Sequence, residues 1–162
     1  MLICDGSTDV RSGFVSHDPV RSDAIADLIQ VVYASQPFGY DIAALSSILR
    51  DARRLNEQDD VTGALVCRHD IYLQLLEGPA EKVEATFARI SRDDRHAGIK
   101  ELVRRPVSER IFGHWAMLHD PATSWIWTRE EIADGILNRV TPADVVAMFE
   151  AVALKAKDGL PE

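Results

Sequence analysis

An amide in the middle of an apolar strand is the first feature of this sequence with chemical consequences. Gln74 lies in Ile71-Tyr72-Leu73-Gln74-Leu75-Leu76, and strand alternation places it on the same face as Tyr72 and Leu76. Buried there, the amide destabilises the chain unless its donors and its carbonyl oxygen are paired. Tyr33 offers a phenol from a second apolar run, Asn56 an amide near a helix end, and Trp115 and Met117 a pair spaced for one face of a strand. Residue type alone gives most of these a plain structural reading: Tyr33 as a core residue with a satisfied hydroxyl, Asn56 as a C-cap, Trp115 and Met117 as core. Gln74 is the one whose position asks for a site.

The elements that must position these side chains follow from hydrophobic periodicity. Leu28 to Ser35 is a short, β-branched run ending at the turn-forming Pro37-Phe38-Gly39, and it predicts a buried first strand. Asp41 is placed to cap a helix with the stripe Ile42, Leu45, Ile48, Leu49 and Ala52, ending near Asn56. Thr62 to Cys67 and Ile71 to Leu76, joined by Arg68-His69-Asp70, read as a hairpin stopped by Gly78-Pro79. A second helix is expected from Ala80 to Arg92, then strands from Ile99 to Pro106 and from Trp115 to Leu118. This order, β-α-β-β-α-β-β, is an α+β fold: a ferredoxin-like sheet with two helices on one face. Beyond His119, Thr128-Arg129-Glu130-Glu131 and Thr141-Pro142-Ala143-Asp144 carry helix-start signals and predict two C-terminal helices. Their apolar positions need cover, from the open face of the sheet or from a partner.

Composition narrows the function classes. The chain has 162 residues, 46% hydrophobic and 27% charged, enough for one compact domain with an appendage. A formal net charge of −8 opposes direct nucleic-acid binding. Cys4 and Cys67 show no metal-ligand spacing, so neither a disulfide scaffold nor a metal site is expected. The N-terminus lacks a signal-peptide pattern and no apolar stretch is long enough to span a bilayer, which together predict a cytoplasmic protein. Residues 1–27 read as an N-terminal extension, 28–118 as the domain, and 119–162 as a C-terminal helical extension.

Six ordered pieces carry a resemblance: Val32-Tyr33-Ala34-Ser35, Ala52-Arg53-Arg54-Leu55-Asn56, Val61-Thr62-Gly63, Tyr72-Leu73-Gln74-Leu75-Leu76-Glu77-Gly78-Pro79, Asp93-Asp94-Arg95-His96, and Glu109 to Met117. Together they resemble the BLUF (blue light using FAD) family over about residues 28 to 118. The resemblance implies a photoreceptor, not an enzyme, with FAD held non-covalently between the two helices; FMN or riboflavin could substitute in recombinant protein. Tyr33 would donate an electron and a proton to the excited flavin, with Gln74 between the phenol and the ring. Light would then rearrange the Gln74 hydrogen bonds by rotation or tautomerisation. Asn56 would bind the flavin's polar edge, Ser35 would lie close to the tyrosine, and Ile48 would pack on the ring. Asp93, Arg95 and His96 would sit near the ribityl and phosphate part, although as residues they read equally as a solvated charge cluster. Trp115 and Met117 would transmit the signal. Leu55 departs from the family, standing where many members carry a polar or aromatic flavin contact.

The resemblance further implies output through a separate effector, such as a phosphodiesterase or a response regulator, with the C-terminal helices and the Trp115 edge as the light-sensitive surface. No direct nucleic-acid or membrane contact is expected, and a homo-oligomer is. Two rival readings stand beside it. One is a small ferredoxin-like enzyme or flavin-dependent redox protein using Tyr33 or His96, although no catalytic triad order or paired carboxylates support it. The other is a BLUF-like fold without flavin that serves only as an interaction module.

Overall fold

The computed structural model describes residues 27–37, 41–121 and 127–159. The expected N-terminal extension, except Asp27, and the Phe38-Gly39 turn lie outside them, as does Cys4. Five strands form one sheet in the order β4-β1-β3-β2-β5, with β1 at Leu28–Pro37, β2 at Thr62–Arg68, β3 at Ile71–Pro79, β4 at His96–Val107 and β5 at Leu118–Pro121. The first four pair antiparallel in ferredoxin-like order, and β5 adds parallel to β2.

Helix α1 spans Ile42–Gln58, two residues beyond the expected Asn56, and α2 spans Ala80–Ser91. The Asp41 side chain accepts from Ala43 N at 2.9 Å and fixes the start of α1. Leu45, Ile48 and Leu49 of α1 and Val83 of α2 bury against Val31, Tyr33, Leu65, Tyr72 and Leu76, all from one sheet face. The alternate residues Val32, Ala34, Ala64, Val66, Leu73 and Leu75 face the other way.

That second face is covered by the C-terminal part of the chain. Helix α3, Arg129–Ala133, a 3₁₀ turn at Ile136–Asn138, and helix α4, Pro142–Asp158, follow β5. The expected capping box forms at Thr128 with Glu131, and the expected Thr141 cap with Pro142 at the first helical position also closes a capping box with Asp144. Val145, Val146, Phe149, Val152 and Ala153 of α4 join the sheet in one core. The sheet face, rather than a partner, thus buries this stripe, and β5 runs across the boundary expected after residue 118.

The strand expected at Trp115 to Leu118 begins only at Leu118. Residues 108–117 instead form an irregular segment whose backbone is satisfied mainly by side chains. Ile111 N and Phe112 N donate to the Glu77 carboxylate at 2.9 and 2.5 Å. Asn56 Nδ2 donates to Ala116 O at 2.9 Å, Arg53 Nε to Met117 O at 3.1 Å, and Gly63 N to Trp115 O at 3.1 Å. With these backbone groups already partnered, ladder pairing starts later.

Candidate functional site

Tyr33 and Gln74 are direct partners across the β1–β3 pair. Such neighbours hold their Cβ atoms roughly 5 Å apart on one face, and here the Tyr33 hydroxyl donates to Gln74 Oε1. Gln74 Nε2 donates in turn to Met117 Sδ at 3.5 Å. All three residues are at most 3% exposed. Burial holds the Tyr33 phenol well above its ordinary value of 10.0, and the charge of Asp93 pushes the same way. The phenol therefore keeps its proton, and that proton points at an amide oxygen. Phe87 of α2 lies against the ring, with centroids 5.4 Å apart.

The β1–β4 register shifts between Val32 and Tyr33 and again between Ala34 and Gln36, so β4 is irregular beside the phenol. At this end Ser35 Oγ and His96 Nδ1 share a hydrogen bond of 3.0 Å, and the His96 ring meets Tyr33 edge-on at 6.2 Å. Burial lowers His96 from its ordinary 6.5; Asp93 opposes that shift and Arg95 adds to it. Arg95 is fully engaged within the protein. It binds Asp93, reaches Asp51 Oδ2 and Ser47 Oγ on α1 at 3.0 Å each, and straps the Asp93–His96 turn to that helix. Its hydrogen bond is the main cause holding the Asp93 carboxyl below 3.8.

Between α1 and α2 lies a cavity of about 180 Å³ that reaches Gln74, Asn56 and His96. Ile48, Ala52, Leu55 and Ile90 give it apolar walls. A wider groove of about 550 Å³ lies between the end of α1 and residues 113–118, but it reaches neither Tyr33 nor Gln74.

A family model described as sensors of blue-light using FAD matches residues 28–118. This chain belongs to the BLUF family. The photoactivated adenylate cyclase subunit beta of Euglena gracilis is 35% identical to it over 74 residues, 45% of this chain and 9% of that protein. The blue light- and temperature-regulated antirepressor BluF of Escherichia coli (strain K12) is 37% identical over 76 residues, 47% of this chain and 19% of that protein. This BLUF chain thus matches only a small part of these curated relatives. Among solved structures, the dark state of BlrB, a BLUF protein, is similar with a TM-score of 0.65 and 25% identity, covering 81% of this chain and 98% of that one.

BLUF proteins are flavin-binding blue-light sensors, and the residues around the inter-helix cavity fit a flavin. Its apolar walls suit a flat ring, the Gln74 and Asn56 amides suit a polar edge, and Arg54 and Arg89 bring cations for phosphate. Thr86 lines the same cavity, and its hydroxyl is buried without a protein partner.

The structure gathers Tyr33, Gln74 and Met117 at one point and places Ser35, Ile48, Asn56, Asp93, Arg95 and His96 around the phenol and the cavity. It separates Trp115 from Met117. Met117 packs on the face that carries Gln74, whereas half-buried Trp115 packs with the opposite core, its ring 6.2 Å from Phe112. The expected matched pair on one strand face is therefore corrected: the segment is not a strand there, so alternation does not govern it. Asn56 is likewise not the C-cap, a position held by Asp59. Sequence reasoning missed Glu77, Arg53 and Thr86. For Glu77 the signal was available, since a carboxylate in a buried strand needs partners for the same reason as Gln74.

No helix of the described residues is long and apolar enough to cross a membrane.

Proposed function

We propose that this chain senses blue light through a flavin held between α1 and α2, with Tyr33 and Gln74 as the photoactive pair and a separate protein as the receiver of the signal. The observation that carries this reading is the relay from Tyr33 hydroxyl to Gln74 Oε1 and from Gln74 Nε2 to Met117 Sδ, bordering a flavin-compatible cavity. Bound flavin supplies blue absorption and an excited state that takes up an electron. Ile48 packs on the ring and Asn56 holds its polar edge, while Asp93, Arg95 and His96 shape the end of the cavity nearest the ribityl chain. FAD is the expected cofactor, with FMN and riboflavin able to occupy the same ring site.

Tyr33 is the donor in this reading. It is protonated, buried, and hydrogen-bonded to an acceptor that can take its proton as it is oxidised. Gln74 answers by rotation or tautomerisation. A rotated amide turns its oxygen toward Met117, whose thioether has no proton to donate, so the 3.5 Å contact is lost. Met117 then shifts, and with it the segment anchored by Glu77, Gly63, Asn56 and Arg53. Trp115 and Phe112 lie on that segment, and Phe112 meets Phe149 of α4 with ring centroids 6.2 Å apart. A rearrangement at Gln74 thereby reaches the opposite face of the sheet through contiguous contacts, where α4 and the Trp115 edge are offered to an effector or to a second copy of the chain.

The test is the visible absorption of the flavin-loaded protein in the dark and after a blue flash, beside a Gln74→Leu variant. The expected result is a flavin band that moves slightly red and recovers in the dark, and that no longer moves in the variant. A variant that shifts and recovers like the wild type, or a wild type that only bleaches, removes the Tyr33–Gln74 mechanism.

A further inference from the structure

Thr86 stands on α2 between Val83 and Phe87 and is 1% exposed. A threonine inside a helix ordinarily satisfies its hydroxyl on a carbonyl three or four residues back. Thr86 makes no such bond: its Oγ1 is buried and has no partner, and among the described residues only Asp120 Oδ1 shares that condition. Of the two, only Thr86 lines the cavity between α1 and α2. Other polar side chains there do have protein partners: Asn56 Nδ2 on Ala116 O, Gln74 Nε2 on Met117, His96 Nδ1 on Ser35 Oγ, and Arg95 on Asp93, Asp51 and Ser47. Valine would have the same shape without the cost of a buried, unpaired hydroxyl.

We propose that the Thr86 hydroxyl is a hydrogen-bond partner of the flavin, on the isoalloxazine or ribityl part that riboflavin, FMN and FAD share. This rests on the reading of the cavity as the flavin site. Depth decides the part of the cofactor: Thr86 is enclosed, whereas Arg89, at 43% side-chain exposure, and exposed Arg54 lie where charged phosphates meet solvent.

The experiment strips the full chain of flavin and titrates it with riboflavin, FMN and FAD, following flavin fluorescence, for wild type, Thr86→Val and Thr86→Ser. Thr86→Val is expected to bind all three flavins about five- to tenfold more weakly, the worth of one hydrogen bond, and Thr86→Ser to stay within about twofold of wild type. Thermal unfolding without flavin supplies the second readout, in which Thr86→Val should have a Tm equal to or above that of wild type. Equal binding by Thr86→Val, a loss confined to FAD, or a lower Tm of flavin-free Thr86→Val overturns the assignment. A wild type that binds none of the three overturns the cavity reading itself, and this assignment with it.

Discussion

Gln74 and Glu77 are three positions apart on β3 and so face opposite sides of the sheet, each with a partner on β1 and another in the 108–117 segment. Gln74 has Tyr33 and Met117, and Glu77 has Gln30 Nε2 at 3.0 Å and the backbone of Ile111 and Phe112. At this scale His96 gives a pH prediction. Its folded pKa lies below 6.5, mainly through burial, so between those two values the unfolded chain binds the proton that the folded chain refuses. Stability is therefore complete above about 6.5 and falls as pH drops below it; His119, shifted the same way, adds to the effect. Denaturant unfolding of wild type and His96→Gln between pH 7 and 5 should show a shallower loss in the variant. Parallel pH profiles for the two proteins would contradict the assignment to His96.

At the scale of elements, the segment 108–117 owes its path to side chains reaching from β3, β2 and α1. Glu77 is the central anchor because its two oxygens receive both backbone N–H groups of Ile111 and Phe112. Glu77→Ala should cost about 3 kcal/mol in urea unfolding, since hydrogen bonds to a buried carboxylate are among the stronger ones and their donors would be left unpaired. The same variant should speed dark recovery of the flavin spectrum, because Met117 would lose its fixed approach to Gln74. A variant destabilised to that extent with an unaltered recovery rate would show that the segment's anchor does not control Met117. Gly63 supports the same region in another way, for an added Cβ would collide with the Leu75 carbonyl oxygen where β2 crosses β3.

For the whole molecule, one sheet separates two cores, with Tyr33 and Gln74 on the α1 and α2 side and α4 on the other. If the signal passes from Met117 through Phe112 to Phe149, the backbone amides of α4 should exchange hydrogen faster under blue light than in the dark, while those of α2 change less. Phe149→Ala should cost about 3–5 kcal/mol as a core truncation. Phe149→Leu keeps most of the volume and should retain the fold while reducing the light-dependent exchange in α4. Equal exchange in light and dark would place the output elsewhere than α4.

The sequence by itself determined the first four strands, the first two helices, the starts of both C-terminal helices and the face that Gln74 occupies, because alternation and capping are local rules. It also carried the family resemblance, and the pieces with Tyr33, Asn56, Gln74, His96 and Met117 lie where the chain approaches the phenol or the cavity. Tertiary structure decided the rest. No local pattern could place Trp115 and Met117 on opposite cores, since their segment follows side chains of Glu77, Asn56 and Arg53 rather than a ladder. Nor could it show that Arg95 is consumed by Asp93, Asp51 and Ser47, or that the Thr86 hydroxyl is left without a partner. Those outcomes depend on which groups meet across 34 to 64 residues of chain, as in Ile111 with Glu77 and Met117 with Arg53, and distance in sequence carries no record of proximity in space.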